Sequence, residues 1–247
     1  MSSATVGVLS EPSLPRRYPR SFGDEHVTAT LLHMSSKYQA HGLRSQILEY
    51  LRPYFPTTLD GWWAKKRKSG ERNPFSRRST VIALANAAEH AAPHLLPAAF
   101  LLLNRYYESL EQSWYIGKLG GKPVVLHASL KDTFLRGREK LDILARTTVY
   151  SRIFLYQRGD SDRTWYDLKC QPGVLATMEK LKGYRSGCII NPFEFSKDNP
   201  AWSPSLLCSS CLANLEHDYR VGTRQLWKQL PEVFGLPNWD VLQKQAE

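Results

Sequence analysis

Apolar residues recur at intervals of three and four along most of this chain, and that spacing constrains its fold more than any other feature. Val27, Leu31 and Met34 show it near the start, and Leu215 and Tyr219 show it near the end. Such spacing places apolar side chains on one face of an α-helix. Prolines and glycines interrupt the pattern repeatedly, which divides the chain into short helices that can pair as hairpins. The sequence therefore predicts a mainly α fold, with helical hairpins packed as one or two small domains.

The organisation of the chain follows from where this helical pattern stops. Residues 1–22 are rich in Ser, Pro and Arg and have no apolar period, so we expect them to be disordered. Residues 23–110 and 111–247 are predicted as two helical regions, the second containing a Cys-rich segment. Within the second region, residues 115–127 hold a glycine pair between two short apolar runs and predict a minor β-hairpin.

Three helices are predicted with particular features. Residues 98–103 are apolar on all sides and should form the most buried helix. A long helix should run from about Ser129 to Ile153, because apolar residues recur there at threes and fours. A later helix, through Leu226 and Leu230, is predicted to end at Pro231.

The size and cysteine content of the chain limit its cellular setting. A chain of 247 residues can bury a core without disulfides or a metal. It has no apolar run of the roughly 18 residues that a membrane helix needs, and no apolar segment near the start that is typical of a secretory signal. Four cysteines are then expected to be thiols or metal ligands. We therefore expect a cytoplasmic or nuclear protein without a membrane partner.

The cysteines form the candidate metal site. Cys208 and Cys211 are spaced as C-x-x-C at a predicted helix start, where one turn brings both thiolates within reach of a zinc ion. Cys188 and His217 are predicted as the remaining ligands, with Cys170 as an alternative. Two other interpretations stay open: buried thiols without a metal, or a redox-active pair. The redox interpretation lacks the β-α-β pattern that usually surrounds such a motif.

The basic residues form the candidate partner surface. The net charge is +10, and its densest part lies between Lys65 and Arg78. Such a surplus attracts acidic proteins or nucleic acid. Two tryptophans precede it, and we predict a partner-binding surface made of Trp62, Trp63, Lys65, Lys66, Arg67 and Lys68. Core packing of the two tryptophans is the alternative, since each buried aromatic ring removes a large area from water.

Sequence motifs for catalysis are missing from the chain. It contains no G-x-S-x-G, no nucleotide-binding glycine loop and no H-E-x-x-H. His90 and His94 have a spacing that could serve a metal on one helix, but Pro93 lies between them. The sequence therefore predicts a non-catalytic protein. A zinc-dependent nucleic-acid-binding protein is the alternative function.

Several motifs occur in an order that is similar to a known family. Lys37-Tyr38, the segment Phe55–Trp62 and the run 95–100 are followed by a C-terminal group of matching positions: Leu207, Cys208, Cys211, His217, Arg224, Trp227, Leu230, Pro231, Phe234, Gly235, Leu236, Pro237 and Trp239. Together they resemble fungal BTB/POZ domain proteins, from the last helices of that domain onward. The resemblance implies protein binding and a role as an adaptor to cullin-type ubiquitin ligases. The part of the domain that forms its dimer interface has no counterpart here, which leaves self-association open.

Overall fold

Helices make up most of the protein in the computed structural model, which describes residues 25–67, 74–109, 115–151, 168–181, 191–193 and 207–245. These residues form nine α-helices and one two-stranded antiparallel sheet. The predicted mainly α fold with a minor β-hairpin is therefore confirmed. The predicted disordered segment, residues 1–22, lies outside the described residues.

Five helices precede the hairpin. They are α1 (Glu25–Lys37), α2 (His41–Leu51), α3 (Leu59–Arg67), α4 (Arg78–Ala91) and α5 (Leu96–Ser109). Short 3-10 turns lie before α4, at Pro74–Ser76, and between α4 and α5, at Pro93–Leu95. The α1–α2 pair is a helical hairpin, as predicted from the glycine and proline positions.

Helix α4 is the centre of this half. Its residues Val81, Ile82, Leu84 and Ala85 are fully buried. It contacts α1, α5, the hairpin and a later helix, and its alanines allow those neighbours to approach closely. The segment 98–103 of α5, predicted as the most buried, is indeed almost completely enclosed.

The β-hairpin pairs β1 (Ile116–Leu119) with β2 (Lys122–Val125). Gly120 and Gly121 form its turn with φ of 55° and 79°. Two successive positive φ angles match the tight turns that suit the twist of a hairpin, and glycine adopts them without strain. The Asn86 amide of α4 donates a 2.8 Å hydrogen bond to the Val125 carbonyl, which attaches the hairpin to the helical core.

Four helices follow the hairpin: α6 (Ala128–Leu144), α7 (Gln171–Leu181), α8 (Ser209–Val233) and α9 (Trp239–Lys244). Helix α6 ends nine residues earlier than predicted and continues as a π-helical turn, Ala145–Val149. That turn packs against α8 at Gly222, where an added Cβ would lie 2.4 Å from the Thr148 carbonyl oxygen. Glycine is needed there because the two backbones meet.

Helix α8 corrects one predicted boundary. It passes through Pro231 and ends at Val233, although proline lacks the N–H that a helix interior requires. In a regular helix that N–H would donate to the carbonyl of Trp227. Here the indole of Trp239 donates to the same carbonyl at 2.7 Å. A side chain from α9 therefore replaces the missing backbone donor.

The described helices also bear on membrane association. None of them combines the length and the apolar character that crossing a bilayer requires.

Candidate metal centre

Three cysteines come together at the start of α8. The Sγ atoms of Cys170, Cys208 and Cys211 all lie within 4.8 Å of one another. Cys170 ends a 3-10 turn, Leu168–Cys170, directly before α7. The cluster therefore joins two segments that are 38 residues apart in sequence.

The local backbone explains how these thiols meet. Cys208 is the N-cap of α8, with φ −69° and ψ 161°, and Cys211 lies in the first turn. The extended conformation of an N-cap residue turns its side chain back over the first turn. The backbone N–H of Cys208 donates to the Cys170 Sγ at 3.1 Å, so the backbone also holds the two segments together.

The three thiols differ in exposure. Cys170 and Cys211 are each 3% exposed and belong to the hydrophobic core, whereas Cys208 is exposed. The backbone amide of Cys211, together with the thiols of Cys211 and Cys170, lowers the pKa of Cys208 from its usual range; its slight burial acts in the opposite direction. A lower pKa favours the thiolate, which is the form that binds metals.

This group can hold a metal ion. Tetrahedral zinc binds sulfur at about 2.3 Å, which places neighbouring sulfurs about 3.8 Å apart. Separations of up to 4.8 Å need only small rotations of the side chains to reach that arrangement. Thiolates are soft ligands, which select thiophilic metals over magnesium or calcium.

The structure assembles only part of the predicted ligand set. Cys208 and Cys211 lie together, and Cys170, predicted as the alternative ligand, is the third thiol. Cys188 lies outside the described residues. His217 is not part of the group; it is exposed and lines a shallow depression with Ser151 and other residues of α8. Six residues rotate a helix by about 240°, so His217 leaves the face that carries Cys211.

The predicted partner surface also needs correction. Trp62 is 5% exposed and packs against Trp227, with ring centroids 5.8 Å apart. Trp63 is half-buried and donates its indole N–H to the Phe193 carbonyl at 3.3 Å. Core packing therefore accounts for Trp62, which is not available to a partner. The side chains of Lys65, Lys66 and Arg67, and all of Lys68, lie outside the described residues.

A second polar cluster joins α4 to the start of α6, and sequence spacing alone gave no sign of it. The Glu89 carboxylate accepts a hydrogen bond from the Ser129 hydroxyl and lies 2.7 Å from His127 Nδ1. Burial would raise the pKa of Glu89, but these two hydrogen bonds and the nearby histidine charges lower it. The carboxylate thus bridges the hydroxyl and the imidazole and connects the start of α6 to α4.

No family model, no curated protein and no solved structure matches this chain. The resemblance to BTB/POZ proteins therefore stays a prediction, as do the partners associated with that family, and self-association stays open.

Proposed function

We propose that this protein is a non-catalytic scaffold for protein–protein interactions whose C-terminal half is held together by zinc at Cys170, Cys208 and Cys211. The observation that carries the proposal is the meeting of three thiols, from two distant segments, within 4.8 Å. Two of those thiols lie in the core, where a bound ion would be enclosed by packed side chains.

The chemistry of the ligands favours a structural role. Structural zinc sites are rich in cysteine, whereas catalytic sites usually combine histidine or carboxylate ligands with an open position for water. A zinc ion here would link the turn before α7 to the first turn of α8. Helix α8 in turn contacts α5, α6 and the π-helical turn. The ion would therefore fix the position of α7 relative to the rest of the fold.

The partner is proposed from the charge of one segment and from the residues on either side of it. Residues 65–78 contain seven Lys or Arg residues and one acid, Glu71. The segment follows the buried Trp62, and near its end Phe75 is 1% exposed and packs against Phe55, with ring centroids 5.1 Å apart. The described residues on either side of residues 65–73 are thus packed in the core. A positively charged segment favours a complementary acidic protein, for which the BTB/POZ resemblance suggests an adaptor role.

Metal analysis of the purified, reduced chain tests the zinc site. We expect one zinc per chain, lost in Cys170→Ser and Cys211→Ser and kept in the control Ser210→Ala, which changes an exposed residue inside the same C-x-x-C turn. Removing zinc with a chelator should lower stability by about 4 kcal/mol where zinc had been present at a thousandfold its dissociation constant. Wild-type chain without metal, or Cys211→Ser with a full complement, would contradict the site.

Binding to defined polyanions tests the partner surface. Reversing Lys65, Lys66, Arg67 and Lys68 to Glu should abolish binding to a poly-glutamate peptide. A control reversal of four exposed basic residues on α6 and α8 should largely keep it: Arg136, Lys140, Arg224 and Lys228. Equal loss in both variants would show only a net-charge effect. Preferential binding to single-stranded DNA, falling steeply with salt, would instead favour the nucleic-acid alternative.

A further inference from the structure

The three thiols of the cluster differ in exposure, and this difference decides which thiol a soluble oxidant reaches first. Cys170 and Cys211 are buried, so a soluble oxidant reaches them poorly. Cys208 is exposed at the N-terminus of α8. Oxidation of a thiol requires access, and access favours the Cys208 sulfur over its two neighbours.

The position of Cys211 suits it to react with an oxidised Cys208. Its Sγ lies within 4.8 Å of the Cys208 Sγ, and the two residues share the first turn of α8. A disulfide requires this separation to close to about 2.05 Å. Cys208 has a non-helical backbone, so it can rotate toward Cys211 without unwinding the helix. Cys170 belongs to a segment 38 residues earlier in the sequence, whereas Cys211 shares a helical turn with Cys208.

We infer that Cys208 is an oxidation site that controls the metal: peroxide converts Cys208 and Cys211 into a disulfide and releases the zinc. This inference rests on the proposed function. The released ion leaves Cys170 as a single thiol, and the turn before α7 loses its link to α8. Oxidation thus loosens the C-terminal half while the helical core around α4 keeps its packing.

The reaction balances with hydrogen peroxide as the oxidant. The Cys208 sulfur attacks one peroxide oxygen, the O–O bond breaks, and hydroxide leaves, which makes Cys208 a sulfenic acid. The Cys211 sulfur then attacks the Cys208 sulfur, the S–S bond forms, and the S–O bond breaks to release a second hydroxide. The two thiolates lose two electrons to peroxide, and two protons from solvent convert both hydroxides to water.

The experiment uses the 247-residue chain, reduced and loaded with zinc, in the wild-type form and as Cys188→Ser. Cys188→Ser removes the one cysteine that lies outside the described residues, so that the three remaining thiols are those of the cluster. Metal content is measured first. Hydrogen peroxide is then added in an amount equimolar to the chain. A coloured chelator measures the released zinc, a thiol reagent counts the free thiols, and peptide mapping locates the disulfide.

We expect each chain to release its zinc and the free thiols of Cys188→Ser to fall from three to one. Mapping should place the disulfide between Cys208 and Cys211, and reductant with added zinc should reverse the change. Zinc retained after oxidation, or a disulfide that includes Cys170, would overturn this inference without contradicting the proposed metal site. Reduced wild-type chain that holds no zinc at the first measurement would refute the metal site itself.

Discussion

The hydrogen bond from Trp239 of α9 to the Trp227 carbonyl leads to a test of how α8 tolerates an internal proline. Pro231 cannot donate to the Trp227 carbonyl, and the Trp239 indole donates to it at 2.7 Å instead. The two tryptophan rings also stack, with centroids 5.9 Å apart and planes 14° from parallel. We predict that Trp239→Phe destabilises the protein mainly where residue 231 is proline.

The expected magnitude follows from what each substitution leaves behind. Trp239→Phe leaves the buried Trp227 carbonyl without this donor, which costs about 1–3 kcal/mol, and removes part of the packed ring. In the Pro231→Ala background the new backbone N–H can donate to the same carbonyl. The cost of Trp239→Phe should therefore be smaller there, with a coupling energy of about 1–2 kcal/mol.

The assay is a double-mutant cycle in urea, followed by far-UV circular dichroism because the substitutions alter tryptophan fluorescence. Unfolding free energies come from linear extrapolation, with m-values compared across variants. Trp63→Phe is the control, since its indole donates to the Phe193 carbonyl and not to α8. Its cost should be independent of residue 231. Additivity of Trp239→Phe and Pro231→Ala within about 0.5 kcal/mol would refute the reasoning.

Three further predictions concern other contacts. Gly222→Ala places a Cβ 2.4 Å from the Thr148 carbonyl oxygen and should lower the unfolding free energy by about 1–3 kcal/mol. The Cβ of Gly42→Ala meets nothing within 4 Å, so this variant should raise the unfolding free energy by up to about 1 kcal/mol, and thermal melts would distinguish the two variants. Burial, with a nearby arginine charge, lowers the pKa of His94 from 6.5 to about 4, so the unfolded chain binds the proton more tightly. Stability should therefore fall as pH drops from 6.5 to 4, and His94→Gln should weaken that slope in denaturant titrations. Asn86→Ala removes two hydrogen bonds that attach the hairpin and the start of α6 to α4, and should cost about 1–3 kcal/mol and speed amide exchange in the hairpin.

The fold was largely predictable because its signals are local. Apolar spacing identifies a helix, and a glycine pair between short apolar runs identifies a hairpin, whatever lies elsewhere in the chain. The two misplaced boundaries depend on distant partners. Helix α8 continues through Pro231 because Trp239 supplies a donor, and α6 becomes a π-helical turn where it meets Gly222. Neither partner is visible within the segment whose end is being predicted.

The candidate site was predictable to the extent that its contacts are local in sequence. Cys208 and Cys211 were predictable as a pair because one turn of helix brings them together. Cys170 could be predicted only as an alternative ligand, because packing between segments 38 residues apart decides whether its thiol reaches the other two. His217 is different: its spacing of six from Cys211 already places it on another face of the same helix, and applying the helical period to the ligands would have excluded it. The Trp62 result has the same origin, because a tryptophan on an amphipathic helix packs inward wherever a neighbour such as Trp227 is present to receive it. The search for a partner surface on this protein should therefore start from the charged residues between Trp62 and Phe75 and not from Trp62 itself, which is buried.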